Sequence, residues 1–457
     1  MFLGNKIAAL IGSALFSVIS SFGQIADSYF IPLGDPKDNI SVSADGYNLS
    51  IGYSIASMEI EELSGYDNKY FRIILPDHIA SESIGEPQLP VWNRIIVIPE
   101  DHEYTVKIGN VVSKRILLRE KGIKSALFPS QESLSKSETE QQPFKVNKRL
   151  YRKDFFSGFD TVSLETIGKA RGKTLAALSI SPMKYNPAKG IIDVIVSMDI
   201  NVVFEKSEND RSGIGRETPV FRELISSQTL NYNEDEVIPH YSEQPIKMIV
   251  LTDSSFVGAL APFIKWKTEK GIEIIMLSIG EELAACSSLE LRDTIKNIYN
   301  HHLLEGAAPD YLLIAGNTSI VPYYEGASII TDMYYGEMDG DGDYIPEIMI
   351  GRLPAADTTE LMNITSKIIQ YEKYDYEESN TFASNTLIFT GYDKSYGYIM
   401  NGQVYYGVEN YLLPENNING YHFYHYDVTK DTLIKIINQG SSFINYTGHG
   451  LSTRLLN

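Results

Sequence analysis

The hydrophobic period changes halfway along this chain, and that change restricts what each half can fold into. From about residue 45 to 205 the apolar residues recur at every second position. Val196, Met198, Ile200, Val202 and Phe204 alternate with Ser197, Asp199, Asn201 and Val203, the spacing of a strand with one buried face. Runs at 70–75, 94–98 and 104–108 are short, β-branched or aromatic, and bounded by Pro, Gly, Asp or Glu, so this half predicts an all-β sandwich or barrel. From Lys247 onward short apolar runs alternate with stretches of helical period, which predicts a parallel α/β sheet with crossover helices on both faces. Its strands are expected at 248–251, 273–277, 311–315, 348–350, 387–390, 422–426 and 443–446. Ser287 with Glu290, and Asp357 with Glu360, form capping-box patterns ahead of apolar stripes that mark helix starts.

The predicted layout has four parts. Residues 1–23 read as a signal peptide: Lys6 is the positive start, 7–19 the apolar run, and Ser21-Phe22-Gly23 a small-x-small cleavage site before Gln24. The apolar run is shorter than a bilayer span requires, and no later segment is apolar enough to span one. A secreted or cell-surface protein, with no membrane span after signal removal, is expected. Residues 24–205 form the all-β domain and 206–245, with no sustained period, a linker. Residues 246–457 form the α/β domain. Within the β half, 130–148 is rich in Ser, Glu and Gln and ends at Lys148-Arg149, as a mobile loop would. The 39 basic against 59 acidic residues leave a net charge of −20, so nucleic acid is not expected as a partner. Cys286 is the single cysteine; internal disulfides and zinc sites built on two cysteines of this chain are excluded.

In an open parallel sheet, chemistry belongs at the carboxyl ends of the strands. Two ends carry it. After the strand at 387–390 comes Gly391-Tyr392-Asp393, and after the strand at 443–446 and Thr447 comes Gly448-His449-Gly450. An imidazole between two glycines leaves room for a substrate backbone, and a nearby acid fixes its tautomer and favours its protonated form, as nucleophilic catalysis requires. The ordinary alternatives are a turn histidine satisfied by backbone and a surface loop acid.

The run Phe443-Ile444-Asn445-Tyr446-Thr447-Gly448-His449-Gly450 resembles the catalytic-histidine strand of the gingipain cysteine endopeptidases, whose fold is a caspase-like α/β sheet preceded by an all-β propeptide. Similar segments follow the family's order. They are Lys247-Met248-Ile249-Val250-Leu251-Thr252-Asp253, the run from Phe263 to Gly271, Pro309-Asp310-Tyr311, and Tyr334 through Tyr344 followed by Glu347-Ile348-Met349-Ile350-Gly351-Arg352-Leu353. In the β half they are Gly85-Glu86-Pro87 and Pro182-Met183-Lys184-Tyr185. The resemblance implies a secreted zymogen that hydrolyses protein or peptide substrates by a Cys/His mechanism and whose β domain covers the active site until cleavage. In it, His449 is the imidazole partner, Asp393 the acid that supports it, and Gly450 a backbone donor to an oxyanion hole. The nucleophilic cysteine is expected on the next strand, and the sequence stops at Asn457, so an incomplete gene product is expected. Cys286 lies upstream, in the wrong order, and reads as a small semi-buried residue.

Asp339, Asp341 and Asp343, spaced by Gly340 and Gly342 and followed by Glu347, can converge on a hard cation. Such oxygen donors suit Ca²⁺, and the resemblance implies a structural calcium there. The spacing is not that of an EF-hand, since Tyr344 stands where its glycine belongs and Ile350 where its glutamate does. A solvated acidic turn is the plain alternative. His301, His302, His422 and His425 lack ligand spacing and read as surface or core. Two other function classes stand beside the peptidase: a non-catalytic peptidase-fold surface or binding module, and a flavodoxin-like ligand domain. Thr252-Asp253-Ser254-Ser255 lacks the glycine-rich turn that the last requires.

Overall fold

The computed structural model describes residues 24–457 except 35–37, 46–47, 65–68, 100–101, 132–142, 207–217, 233–244, 281–286, 326–329, 339–344, 375–383, 392–396, 414–415, 417, 425–427, 449, 452–453 and 456–457. The signal-peptide reading of 1–23 therefore lies outside the described residues. So do Cys286 and the centre of the polar loop after residue 130. The chain divides into two compact units, Met1–Ile369 and Gln370–Asn457.

The β half contributes the strands β1 (Gln24–Pro32), β2 (Asn39–Asp45), β3 (Asn48–Ser54), β4 (Ser57–Ser64), β5 (Tyr70–Ile74), β6 (Ile79–Ala80), β7 (Pro90–Ile98), β8 (His102–Leu117), β9 (Ala126–Leu127), β10 (Val162–Ala170), β11 (Lys173–Ile180), β12 (Met183–Asn186) and β13 (Ile191–Lys206). They pair in the orders β1-β4-β5-β9, β10-β11-β7-β6 and β12-β13-β3-β2, with β8 added along β13. The period-2 reading holds along β13: Ile192, Val194, Val196, Met198, Ile200, Val202 and Phe204 are all buried in one core with Trp92, Ile96, Leu178 and Tyr53. Each fully buried side chain of this size stabilises the fold by about 1.5–3 kcal/mol. β8 is longer than its predicted segment 104–108 and mostly exposed. It is a strand because it pairs antiparallel with β13 from Ile191↔Leu117 to Lys206↔His102, not because it buries a face. Lys148-Arg149, expected on a loop, lie in a single helical turn, α1 (Lys148–Tyr151), capped by the Asn147 side chain. The expected linker holds a helix, α2 (Pro219–Gln228), with Thr218 as its cap and Phe221 and Ile225 buried. Its apolar stripe is too short for a helical period to be legible.

The first unit continues with β14 (Ile246–Asp253), α3 (Val257–Glu269), β15 (Ile272–Ile279), α4 (Ser288–Leu304), β16 (Tyr311–Ala315), the short strands β17 (Tyr324–Glu325) and β18 (Ile330–Thr331), β19 (Met349–Leu353) and α5 (Thr358–Lys373), within which the unit boundary falls. The sheet β15-β14-β16-β19 is parallel throughout. β14 feeds both faces: Ile249 and Leu251 pack with Leu291, Ile295 and Tyr299 of α4, while Met248 and Val250 pack with Leu260 of α3 and Leu361 of α5. A strand covered on both sides is a near-continuous apolar run, as 248–251 is. The Ser287–Glu290 capping box forms as predicted, with both reciprocal bonds. Asp357 caps Glu360 N–H at 2.9 Å, but Glu360 returns its carboxylate to Ala356 N–H at 2.7 Å, one residue early.

The second unit holds β20 (Asn385–Thr390), α6 (Gly397–Asn410), β21 (Asn419–Phe423), α7 (Lys430–Asn438), β22 (Phe443–Thr447) and the two-residue strands β23 (Gly450–Leu451) and β24 (Arg454–Leu455). β21, β20 and β22 form a parallel sheet with β20 central and buried along its whole length. Leu387 and Phe389 pack on Leu433 and Ile436 of α7. β21 begins three residues before the predicted 422–426 because it pairs in register with β20, Asn385↔Asn419 to Phe389↔Phe423. The fold class read from sequence, an all-β domain followed by parallel α/β structure with helices on both faces, is the one observed.

Candidate active site

β20 and β22 run parallel with Thr390 opposite Thr447. Beyond that pair Gly391 N–H donates to the Thr447 carbonyl at 2.9 Å. Gly391 and Gly448, the residues directly after the two strands, thus lie side by side at one edge of the sheet. Asp393 and His449 themselves lie outside the described residues, and what the structure defines is the platform from which they depart.

That platform is closely fitted. A Cβ placed on Gly448 would lie 2.5 Å from Tyr446 Oη and 3.0 Å from the Gly391 nitrogen, so any side chain there forces the Tyr446 ring or the Gly391 backbone to shift. Tyr446 packs at 5.0 Å, ring to ring, on Phe389. α6 supplies two polar side chains to the strand ends: Thr390 Oγ1 donates to Asn401 Oδ1 at 3.2 Å and Thr447 Oγ1 to Gln403 Oε1 at 2.9 Å. Sequence reasoning missed this pair. Asn401-Gly402-Gln403 carries no signal beyond polarity on a helix, and only the packing of α6 against β20 and β22 gives it a role. Gly450 opens β23 and pairs with Leu455 in a small antiparallel hairpin, so its backbone is fixed by strand pairing immediately after the histidine.

Of the four predicted metal ligands, Asp339, Asp341 and Asp343 lie outside the described residues. Glu347 is described and buried, and its Oε2 accepts from Met338 N–H at 2.6 Å. Its own N–H donates to Gly336 O at 2.9 Å. Glu347 therefore closes the base of the loop that carries the three aspartates. Among the described residues no three His, Cys, Asp or Glu side chains gather as a metal site. His301 and His302 sit in the last turn of α4 with Glu305 at 3.4 and 2.9 Å, a favourable place for cationic side chains at a helix C-terminus. No helix among the described residues is long and apolar enough to cross a membrane.

The described architecture is an all-β half followed by parallel α/β sheets, with Gly448 at the carboxyl end of β22. Comparison with known families agrees over nearly the whole length: the Propeptide_C25 model matches residues 34–238 and the Peptidase family C25 model residues 241–457. The chain belongs to peptidase family C25, as propeptide and peptidase parts in that order. Among curated relatives it is 26% identical to Lys-gingipain W83 of Porphyromonas gingivalis over 460 residues, 98% of this chain and 26% of the relative. It is 23% identical to gingipain R1 of the same organism over 378 residues, 81% of this chain and 36% of the relative. The chain thus spans about a quarter to a third of these relatives' length. Among solved structures, gingipain K from Porphyromonas gingivalis, described for its zymogenic latency, aligns at TM-score 0.38 and 23% identity over 40% of this chain and 100% of its own.

Proposed function

We propose that this chain is the propeptide and histidine-bearing part of a secreted cysteine endopeptidase zymogen that acts on proteins or peptides. His449 is the imidazole that activates a cysteine thiol and returns the proton to the leaving amine. Asp393 orients that imidazole, and Gly450 offers its backbone N–H to the oxyanion. The observation that supports the reading is the parallel β20–β22 pairing closed by the Gly391–Thr447 hydrogen bond of 2.9 Å, which brings Gly391 and Gly448, two residues before Asp393 and one before His449 in the sequence, to the same sheet edge. By the family resemblance the thiolate belongs to the strand after β22, and Cys286, upstream and ahead of a helix cap, does not match that position. In the second unit Phe443 and Ile444 are 51% and 46% exposed. These are neighbouring positions on opposite faces of one strand, and they supply apolar surface for such a segment.

Ca²⁺ is the ion that the donor set Asp339, Asp341, Asp343 and Glu347 would hold, since all four offer hard carboxylate oxygens. Its role there is to order the loop between Met338 and Glu347. The test of the catalytic reading is cleavage of a mixed peptide library by protein expressed from the complete gene under reducing conditions. Wild type should be active and silenced by a thiol alkylator. His449→Ala should lose several orders of magnitude in turnover and Asp393→Ala less. Activity that survives alkylation, or that His449→Ala retains, refutes the assignment.

A further inference from the structure

The β10–β11 hairpin turns on Arg171 and Gly172, with φ of 51° and 84°. Two successive left-handed residues are what a two-residue hairpin turn demands, and glycine or asparagine is the usual choice at the first. Here it is an arginine, and it is 1% exposed. A guanidinium so fully removed from water must be matched by acceptors.

The acceptors come from the α/β half. Arg171 Nε donates to the Glu347 carbonyl at 2.6 Å, and Nη2 donates to the Pro309 carbonyl. The Asp310 carboxylate stands 3.5 Å from Nη2. The guanidinium lies over two rings, 4.4 Å from the centroid of Phe221 and 5.2 Å from that of Tyr299, the stacking that a planar delocalised cation favours. Asp310 is itself 2% exposed and is built into the sheet edge: its N–H donates to Lys247 O at 2.9 Å, and its carbonyl accepts from Met349 N–H at 2.9 Å. Thr218 Oγ1 also donates to its carboxylate. Lys247, Asp310 and Met349 lie at the amino ends of β14, β16 and β19, so the cluster occupies the edge opposite the carboxyl ends of that sheet.

The cluster has two owners. Arg171, Thr218 and Phe221 belong to the β half, because Asn231, just after α2, clamps the β7 backbone with Val97 N–H and O both at 2.8 Å. Ile225 of α2 also packs with Val97, Ala170 and Leu175. Tyr299, Pro309, Asp310 and Glu347 belong to the peptidase half. The boundary between the two family matches, between residues 238 and 241, separates the same two sets.

We infer that Tyr299, Pro309, Asp310 and Glu347 form a guanidinium receptor on the amino-terminal edge of the peptidase-half sheet, and that Arg171 is the plug by which the propeptide half docks there. Burial pushes the Asp310 carboxyl up even with Thr218 and Arg171 pulling it down, as expected of a carboxylate that relies on its partners for compensation. A lysine does not substitute. Its ammonium presents no planar face to the two rings and cannot reproduce the fork that reaches two carbonyls and a carboxylate. The inference is independent of the catalytic assignment, since none of these residues lies near β20 or β22 in the sequence or serves the reaction proposed above.

The test uses the full chain with a specific protease site introduced between residues 233 and 245. After the cut, wild-type halves should co-elute in size exclusion at low micromolar concentration. Arg171→Ala and Arg171→Lys should weaken their association by roughly thirtyfold to a thousandfold, as truncation of one partner of a buried, hydrogen-bonded charge pair does. The uncut Arg171→Ala chain provides a second reading that does not require the halves to be separable. Ethylguanidinium at millimolar concentration should raise its melting temperature, ethylammonium at the same ionic strength should not, and wild type should respond to neither. If Arg171→Ala refolds poorly, recovery of folded protein under the same two additives is the readout. Association unchanged in both variants, or rescue that is absent or equal for the two cations, overturns the inference.

Discussion

Gly448→Ala tests the platform under the candidate histidine. The new Cβ would stand 2.5 Å from Tyr446 Oη, 2.7 Å from Tyr446 Cζ and 3.0 Å from the Gly391 nitrogen. The tyrosine can yield only by losing its contact with Phe389 at 5.0 Å. Residue 448 can back away only by straining or breaking the 2.9 Å hydrogen bond by which Thr447 beside it holds Gly391 between the strand ends. Overpacking costs about 1–3 kcal/mol, and loss of the strand-end bond adds about 1 kcal/mol, for a total of about 2–4 kcal/mol. At about 1.4 kcal/mol per factor of ten, hydrogen-exchange protection of the β20 and β22 amides should fall roughly 30- to 800-fold if these strands exchange through opening of the second unit. Tyr446→Ala removes the ring in the way, so the cost of Gly448→Ala should be smaller in that background, and the double-mutant cycle should show coupling. In an active form of the protein, a shift of about 1 Å in the histidine should cost about a hundredfold in kcat/KM. Unchanged protection in Gly448→Ala, or equal penalties with and without Tyr446, would refute the steric argument.

Three further outcomes are expected. Ile200→Ala, at a buried position of β13, should lose about 2–5 kcal/mol in urea unfolding, whereas Val111→Ala on the paired strand, 50% exposed, should stay within about 0.5 kcal/mol. His78 lies against Tyr53 Oη at 2.7 Å and Pro76 O at 2.6 Å, and burial lowers its pKa below the ordinary 6.5. Its neutral form is the folded one, so stability is fully present above pH 6.5 and falls as pH drops towards the lower folded-state value, because the unfolded chain takes the proton first. Urea midpoints measured across that window should show the slope in wild type and a weaker one in His78→Gln. A calcium chelator should lower the melting temperature, since an ion bound only by the folded chain stabilises it by mass action. Asp341→Ala should erase the difference, and identical melting curves with chelator and with excess Ca²⁺ would remove the metal assignment.

Local pattern alone determined much of this protein. The alternation at 196–204 places five side chains of β13 in the core. The near-continuous apolar runs at 248–251 and 387–390 announce strands covered on both faces, and Ser287 with Glu290 marks a helix start to the residue. Each is legible because period and capping act within a few residues of chain. Of the candidate site, the two glycine-flanked strand ends were legible, and with them the expectation that an acid and an imidazole share an edge. What only the tertiary structure decided involves partners far apart in sequence. β8 is a strand because β13 is beside it, and Asn401 and Gln403 matter because α6 lies over the ends of β20 and β22. A side chain at residue 448 would force a shift because Tyr446 and Gly391 close over it. Arg171 is the clearest case: in Lys169-Ala170-Arg171-Gly172-Lys173 it reads as one more charge on a solvated turn. A buried cation cannot be recognised from its own neighbours, because the carbonyls and carboxylate that compensate it lie more than a hundred residues away and converge only when the two halves have folded against each other.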